Sequence, residues 1–237
     1  MKKVYIILGF FVLSAALRAQ PVEIMLITGG HAFDTTRFFQ LFDRIKNIEY
    51  EHFQQPEANR VIANGKTNDF DVLVFYDMWQ SISDDEKRAY INLTKKGKPM
   101  LFLHHSLVSY QDWSTFEKLI GGKYVQKNPV IPEDEQSTFE HDVWVYMHSM
   151  RNHPITKGLK MIKLFDEVYG NTRVSDEALP LFKTNHPKSS KIIGWENRFN
   201  ASQIVYLQPG HDYRAYESDK YRQLLEQTIK YLAGKNQ

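Results

Sequence analysis

The stretch IMLITGGH, residues 24–31, decides the fold class of this chain, because an apolar run of strand length ends there in two glycines and a histidine. Two later stretches repeat the pattern: MLFLHH at residues 100–105 and IVYLQPGH at residues 204–211. In an open parallel sheet, ligands bind in the crevice beyond the carboxyl ends of the strands, so residues that follow different strands converge. The histidines predicted to meet at one site are His31, His104, His105 and His211.

Strand and helix signals alternate through the first half of the chain. Asp34 is a helix cap before apolar residues of helical spacing. An uninterrupted apolar strand at residues 71–76 precedes a helix in which Ser83 and Glu86 fit a capping box. This order of elements predicts an α/β fold with a mainly parallel sheet. The second half carries extended runs without intervening helices, the longest at residues 139–147, so we expect antiparallel strands to be added to the sheet there.

The amino-terminal segment has the layout of a cleavable secretory signal. Lys2 and Lys3 precede an apolar stretch over residues 4–17. The pattern predicts a signal peptide over residues 1–20, a mature domain over residues 21–237 and export to the periplasm. A spanning helix needs about 20 apolar residues, so we expect contact with the membrane only through the cleaved signal.

The composition excludes several classes of function. The chain has no cysteine, which rules out disulfides and every thiol mechanism. Lys and Arg number 30 against 28 Asp and Glu, with both signs interspersed, so nucleic acid is not an expected partner. No linker or repeat divides the mature chain, and we expect one domain, with a homo-oligomer left open.

Asp77 and Trp79 follow the apolar strand at residues 71–76. A carboxylate accepts hydrogen bonds from sugar hydroxyls and an indole stacks on a sugar face, so both residues are candidate substrate contacts. The alternative is that Asp77 caps the loop and that Trp79 lies half-buried beneath it.

Adjacent side chains at a strand-to-helix turn point in different directions. We therefore expect one of the pair at residues 104–105, taken to be His104, to face the cleft. A nucleophile at Ser106 is not predicted, because a nucleophile elbow needs small residues two positions away on each side, where this chain has His104 and Val108.

Carboxylates also stand near predicted strands, at Asp166 and Glu167, with Tyr169 close by. A glutamate beside a histidine is a workable acid–base pair, because the carboxylate orients the imidazole and supports its charged form. Gly210 precedes His211 after the last strong strand and lets that histidine reach over a cleft. The candidate catalytic residues are His104, His211 and Glu167.

The same histidines and Glu167 could supply nitrogen and oxygen ligands to zinc. No pair has the i, i+4 spacing of H-E-x-x-H, so the sequence gives no ligand geometry. We therefore assign no metal ligand and no cofactor from the sequence, and a metal centre stays an alternative.

Several short motifs occur in an order that resembles one family. They are TGGH at 28–31, LIGG at 119–122, HPITKGL at 153–159, DEVY at 166–169 and GH at 210–211, with Trp113 and Trp195 between them. Together they resemble the ThuA-like, trehalose-utilisation family over nearly all of the mature chain.

The resemblance implies a flavodoxin-like, three-layer αβα fold, similar to that of class I glutamine amidotransferases. Those enzymes use a cysteine at the turn after a central strand, where this chain has His104 and His105, so amidotransferase chemistry is excluded. The resemblance also implies a role in disaccharide or glycoside use, in some bacteria alongside oxidoreductases that make 3-keto sugars. The residues that it places around the cleft are His31, His104, Glu167, Tyr169 and His211. His153 is not among the cleft residues: a histidine before Pro-Ile-Thr is expected to be a turn residue whose ring bonds the backbone, with Thr156 helping to fix the loop.

Three functions are consistent with these observations, each with a small sugar as the partner. The first is an exported enzyme that uses strand-end histidines for acid–base chemistry on a disaccharide, glycoside or keto-sugar. The second is a non-catalytic sugar-binding or scaffold protein, suggested by the missing nucleophile, and the third is a metal-dependent hydrolase. The candidate substrate contacts are His31, Asp77, Trp79, His105, Trp113, Asp166, Tyr169 and Gly210.

Overall fold

A computed structural model describes residues 20–235 and contains strands and helices in alternation through its first half. The strands are β1 (Val22–Gly29), β2 (Ile48–Gln54), β3 (Val72–Asp77), β4 (Met100–Leu103), β5 (Gly122–Lys123), β6 (Thr138–Ser149), β7 (Met161–Gly170), β8 (Arg173–Val174), β9 (Leu179–Lys183), β10 (Ile192–Phe199) and β11 (Ser202–Leu207). The helices are α1 (Thr35–Asp43), α2 (Glu57–Ala63), α3 (Asp84–Lys95), α4 (Ser114–Ile120), α5 (Tyr213–Tyr216) and α6 (Asp219–Leu232).

One sheet of nine strands has the order β2-β1-β3-β4-β11-β10-β9-β6-β7. Its first five strands are mutually parallel. From β11 onward each neighbour is antiparallel. The prediction of a mainly parallel sheet with antiparallel additions in the second half is therefore confirmed, and the architecture is flavodoxin-like.

Alternate side chains of the central strands fill one core on each face of the sheet, as the period of two in a strand requires. Ile24 and Leu26 pack in the core that α1 and α6 cover. Met25 and Ile27 point the other way, into the core that α2, α3 and α4 cover. Helices on both faces complete the three layers.

The local signals for two helices are confirmed. Ser83 accepts a hydrogen bond from the Glu86 backbone while the Glu86 side chain accepts one from the Ser83 backbone, which forms the predicted capping box of α3. Asp34 caps α1. Helix α2 was not predicted, because it is short and its N-cap, Pro56, makes no side-chain hydrogen bond.

The last strand of the chain lies beside β4, and this placement creates the site. Leu207 pairs with Leu103 at the carboxyl ends of β11 and β4. The turn that begins at His104 therefore lies next to the turn that leads to His211, although the two are far apart in sequence.

The β6–β7 hairpin stands at one edge of the sheet, and most of it extends past β9. Only the last two residues of β6, His148 and Ser149, pair with β9. The rest of the hairpin continues past the carboxyl ends of the strands and carries Asp166 against Gly210, whose backbone donates to the Asp166 carboxylate at 2.8 Å. This part of β7 forms one wall of the crevice.

The predicted signal peptide lies, up to residue 19, outside the described residues. Within residues 20–235, none of the helices combines the length and the apolar character needed to cross a membrane.

Candidate functional site

A cavity of about 480 Å³ opens at the carboxyl ends of the central strands. This is the crevice that the strand-end histidines predicted, and its volume falls in the usual range for small-molecule sites, about 300–1,000 Å³. The predicted site residues that line it are His31, His104, His105, Glu167, Tyr169 and His211.

His104 occupies the turn after β4 in a left-handed conformation, with φ at 47°. Such a conformation is uncommon for a residue with a side chain and costs about 1–3 kcal/mol. The ring is completely buried, and its Nδ1 donates to the carbonyl oxygen of Gln208 at 2.7 Å. Because a carbonyl only accepts, Nδ1 carries a proton, and in the neutral imidazole the lone pair of Nε2 points towards Glu167 and Tyr169.

Glu167 lies at the centre of the site, close to three histidines. Its Oε2 atom lies 2.7 Å from Nδ1 of His211, 3.3 Å from Nε2 of His104 and 3.5 Å from Nδ1 of His141. Burial acts to raise the pKa of Glu167, but the adjacent His104 and His211 rings outweigh it and hold that pKa well below its usual range. Conversely, burial acts to lower the pKa of His211, and the hydrogen bond to Glu167 reverses this and raises it. Glu167 and His211 therefore form an oriented ion pair.

Asp166 fixes the backbone of the two segments that carry this pair. Its carboxylate accepts hydrogen bonds from the backbone N–H groups of Glu167, Gly210 and His211, at 2.8–2.9 Å. The side chain is buried and is absent from the cavity lining. The prediction that Asp166 contacts substrate is therefore not supported, because its oxygens are occupied by the backbone.

Gly210 has a backbone role as well. Its φ is +122°, and a Cβ atom added there would lie 2.2 Å from the Tyr221 hydroxyl oxygen. Only glycine fits this turn. Its N–H donates to Asp166, and Gly210 is not among the residues that line the cavity.

Tyr169 stacks on His104, with ring centroids 4.9 Å apart, and its hydroxyl lies 3.0 Å from His104 Nε2. His105 packs between Tyr76, at 4.4 Å between ring centroids, and His31, at 4.7 Å. Burial holds the pKa of His105 well below its ordinary value, and burial likewise lowers that of His31. Two neutral imidazoles thus stand beside the Glu167–His211 pair.

The structure places three predicted substrate contacts away from the cavity. Trp113 is buried in the core, where it packs on Phe116 and Tyr90 with ring centroids 5.9 Å from each. Trp79 is half-buried and packs against the same core, as the alternative interpretation held. Asp77 is buried, and its carboxylate accepts a hydrogen bond from Gln55 at 2.9 Å. The two indoles lie away from the cavity because they pack against apolar side chains. Asp77 does so because it belongs to an internal hydrogen-bond network.

The sequence analysis missed His141. β6 and β7 shift register between Glu140 and Val143, so that His141 and Asp142 lie opposite Glu167 alone. Bulges of this kind re-aim side chains near active sites. The shift brings the His141 ring to 4.8 Å from that of His211. No local motif announces such a bulge, since it depends on how two strands pair.

The predicted turn role of His153 is confirmed. Its Nδ1 accepts a hydrogen bond from the Ile155 backbone at 3.2 Å, and Thr156 Oγ1 accepts one from the His153 backbone at 3.1 Å. The residue lies outside the cavity lining.

Asp77 leads to a prediction about pH and stability. Burial raises the pKa of Asp77 to about 7, although hydrogen bonds from Gln55 and nearby serines favour the carboxylate. A carboxyl group whose pKa is raised in the folded state stabilises the fold at any pH below its unfolded-state pKa. This contribution is lost as the pH rises towards the folded-state pKa. Relative to Asp77→Asn, the wild-type chain should therefore lose up to about 4 kcal/mol of unfolding free energy between pH 4 and pH 7. Urea unfolding of both proteins across this range measures the difference, and a constant difference would contradict the prediction.

Comparison with known proteins gives a consistent result. The model of a family described as trehalose utilisation, ThuA, matches residues 28–232. No curated protein matches the chain. Among solved structures, a ThuA-like protein from Parabacteroides merdae is 14% identical, with a TM-score of 0.73 and 90% of each chain covered. A ThuA-like protein from Bacteroides uniformis is 17% identical, with a TM-score of 0.65 and 97% of each chain covered.

A more distant likeness extends to larger enzymes. A GH42 β-galactosidase of G. stearothermophilus is 10% identical, with a TM-score of 0.53, over 88% of this chain and 30% of the enzyme. At such identities the solved structures establish the fold alone. The family model covers nearly all of the described residues and agrees with the motif order, and on this ground the chain belongs to the ThuA, trehalose-utilisation family.

Proposed function

We propose that this protein is an exported enzyme that converts a disaccharide, glycoside or keto-sugar in the cavity at the carboxyl ends of the strands. His104, Glu167 and His211 are the reacting side chains. One observation carries the proposal: these three side chains come from the turn after β4, from β7 and from the turn after β11, and their polar atoms meet within 4.8 Å at the cavity wall. Membership of a trehalose-utilisation family supports the sugar as the substrate class.

The hydrogen-bond geometry supports proton transfer. Nε2 of His104 carries a lone pair, because Nδ1 donates to the Gln208 carbonyl, and so it can accept a proton from a sugar hydroxyl. His211 donates from Nδ1 to Glu167, which orients the ring. The carboxylate also stabilises the charged imidazolium, so His211 is suited to give a proton to a leaving or carbonyl oxygen.

A substrate screen tests the proposal. The purified protein is incubated with trehalose, with other disaccharides and with their 3-keto forms, and the products are followed by mass spectrometry. We expect turnover of at least one of these sugars by the wild-type chain and its loss in Glu167→Gln. Saturable sugar binding by calorimetry without any product after long incubation would instead support the non-catalytic sugar-binding alternative.

Export is a separate part of the proposal and has its own test. It rests on the sequence pattern of Lys2, Lys3 and the apolar stretch over residues 4–17. Expression of the full chain in a bacterium with a periplasm, followed by fractionation and amino-terminal sequencing, should give a periplasmic protein that begins near Pro21. A cytoplasmic protein that keeps its first 20 residues would contradict it.

A further inference from the structure

Three atoms suited to bind a metal face one another at the centre of the site. Oε2 of Glu167 lies 3.3 Å from Nε2 of His104 and 2.7 Å from Nδ1 of His211. The two imidazole nitrogens are 3.1 Å apart. Zinc binds imidazole nitrogen and carboxylate oxygen at about 2.0–2.2 Å, which places neighbouring ligands of a tetrahedral ion about 3.3–3.5 Å apart. The observed triangle is slightly smaller than that, so modest side-chain movements would admit an ion.

His104 has the tautomer that metal binding through Nε2 requires. Because Nδ1 of His104 donates to the Gln208 carbonyl, the neutral ring presents Nε2 as its free ligand atom. The lone pair of Nε2 faces Glu167 Oε2, which is also an acceptor, at 3.3 Å. Tyr169 can donate to Nε2, but the carboxylate and imidazole lone pairs remain opposed in a buried place. A cation between them removes this repulsion.

The groups behind the ligands hold them rigidly. Asp166 accepts from the backbone N–H groups of both Glu167 and His211 and so fixes the two segments that carry these ligands. Hydrogen bonds that fix the orientation of the ligand residues are characteristic of metal centres. The His104 and Glu167 side chains are 0% and 6% exposed, and that of His211 is 20% exposed. Two ligands are thus buried, and the third is partly exposed.

We infer that His104, Glu167 and His211 bind one divalent transition-metal ion, with zinc as the best match to two nitrogens and one oxygen. The inference rests on the proposed function, because it concerns the same three side chains. Three protein ligands leave a coordination position open, as in catalytic rather than structural zinc sites. The cavity borders all three residues, so the open position is available to a sugar oxygen or a water molecule.

The ion would change how the site acts on a sugar. In the ion-bound state the two imidazoles would serve as ligands, and His211 would release its Nδ1 proton to solvent. The ion would supply polarisation of a bound sugar hydroxyl or carbonyl oxygen, in place of direct proton transfer by these rings. Magnesium and calcium prefer all-oxygen ligand sets and should bind poorly here.

Calorimetric titration of the tag-free, chelator-treated protein tests the inference. We expect zinc to bind with a stoichiometry of about one per chain and to raise the melting temperature, since an ion that binds only the folded state stabilises it. Magnesium should give neither effect. His104→Ala, Glu167→Gln and His211→Gln should abolish zinc binding, whereas His148→Ala, a matched histidine substitution on β6, should leave it unchanged.

Several outcomes would overturn the inference. One is a natively folded wild-type chain, checked by circular dichroism, that takes up no zinc, manganese or cobalt. Another is uptake that is equally strong in Glu167→Gln. The result is separable from the proposed function: a metal-free chain that still converts sugar, and loses this activity in the same variants, would refute the metal and keep the enzyme.

Discussion

His211→Ala should lower kcat on the sugar substrate by about 10²–10⁴-fold, the usual contribution of a positioned acid–base group. His211 is the most accessible of the three central side chains, and its ring borders the cavity while Nδ1 is fixed by Glu167 at 2.7 Å. The same loss is expected if the ring binds an ion, because removing one of three protein ligands empties the site. The measurement is steady-state kinetics on the sugar identified in the screen.

The control for this prediction is a histidine outside the site. His148→Ala removes an imidazole from β6 at its junction with β9, and we expect kcat within about twofold of wild type, because His148 is not among the residues that line the cavity. Both variants should keep the wild-type circular dichroism spectrum. Full activity of a folded His211→Ala protein would remove His211 from the reaction and contradict the proposed centre.

The second prediction concerns stability and activity together. Asp166→Ala should destabilise the chain by about 3 kcal/mol or more, because it leaves two buried backbone N–H groups and one partly buried N–H group without an acceptor. Each such group costs about 1–3 kcal/mol when it is unpaired. At about 2–4 °C per kcal/mol for a chain of this size, the melting temperature should fall by about 6–12 °C. Activity should fall as well, even well below the new melting temperature, because Glu167 and His211 lose their common support.

A surface carboxylate provides the matched comparison. Glu217 pairs with Arg37 at 3.0 Å, but the two side chains are 55% and 47% exposed. Exposed ion pairs contribute about 0–1 kcal/mol, so Glu217→Ala should change the melting temperature by only a few degrees at most. Scanning calorimetry measures the melting temperature of both variants. Equal decreases would show that Asp166 has no special supporting role.

The sequence predicted the fold well because its signals are local. Apolar runs such as residues 24–27 and 204–207 have the length and burial of central strands. The capping box at Ser83 and Glu86 fixes the start of α3 from four consecutive residues. Helix α2 was missed because it is short and polar, and β7 was underestimated because its burial changes along its length.

The candidate site was predicted only in part. Strand-end position brought His31, His104, His105 and His211 to one cavity, because topology alone dictates where parallel strands end. Position along the chain could not distinguish Glu167, which lines the cavity, from Asp166, which supports it from behind. Trp79 and Trp113 were also candidate substrate contacts, and both pack against the core.

The sequence by itself determined the fold class, the family and the edge of the sheet where chemistry is expected, since each follows from short-range patterns. Only the tertiary structure decided which side chains meet. The pairing of β11 with β4 sets His211 beside His104, and the reach of the β6–β7 hairpin past β9 brings Glu167 to both. The bulge that adds His141 is likewise a property of paired strands. Distances between atoms on separate elements depend on strand order and register, and no local stretch of sequence encodes these.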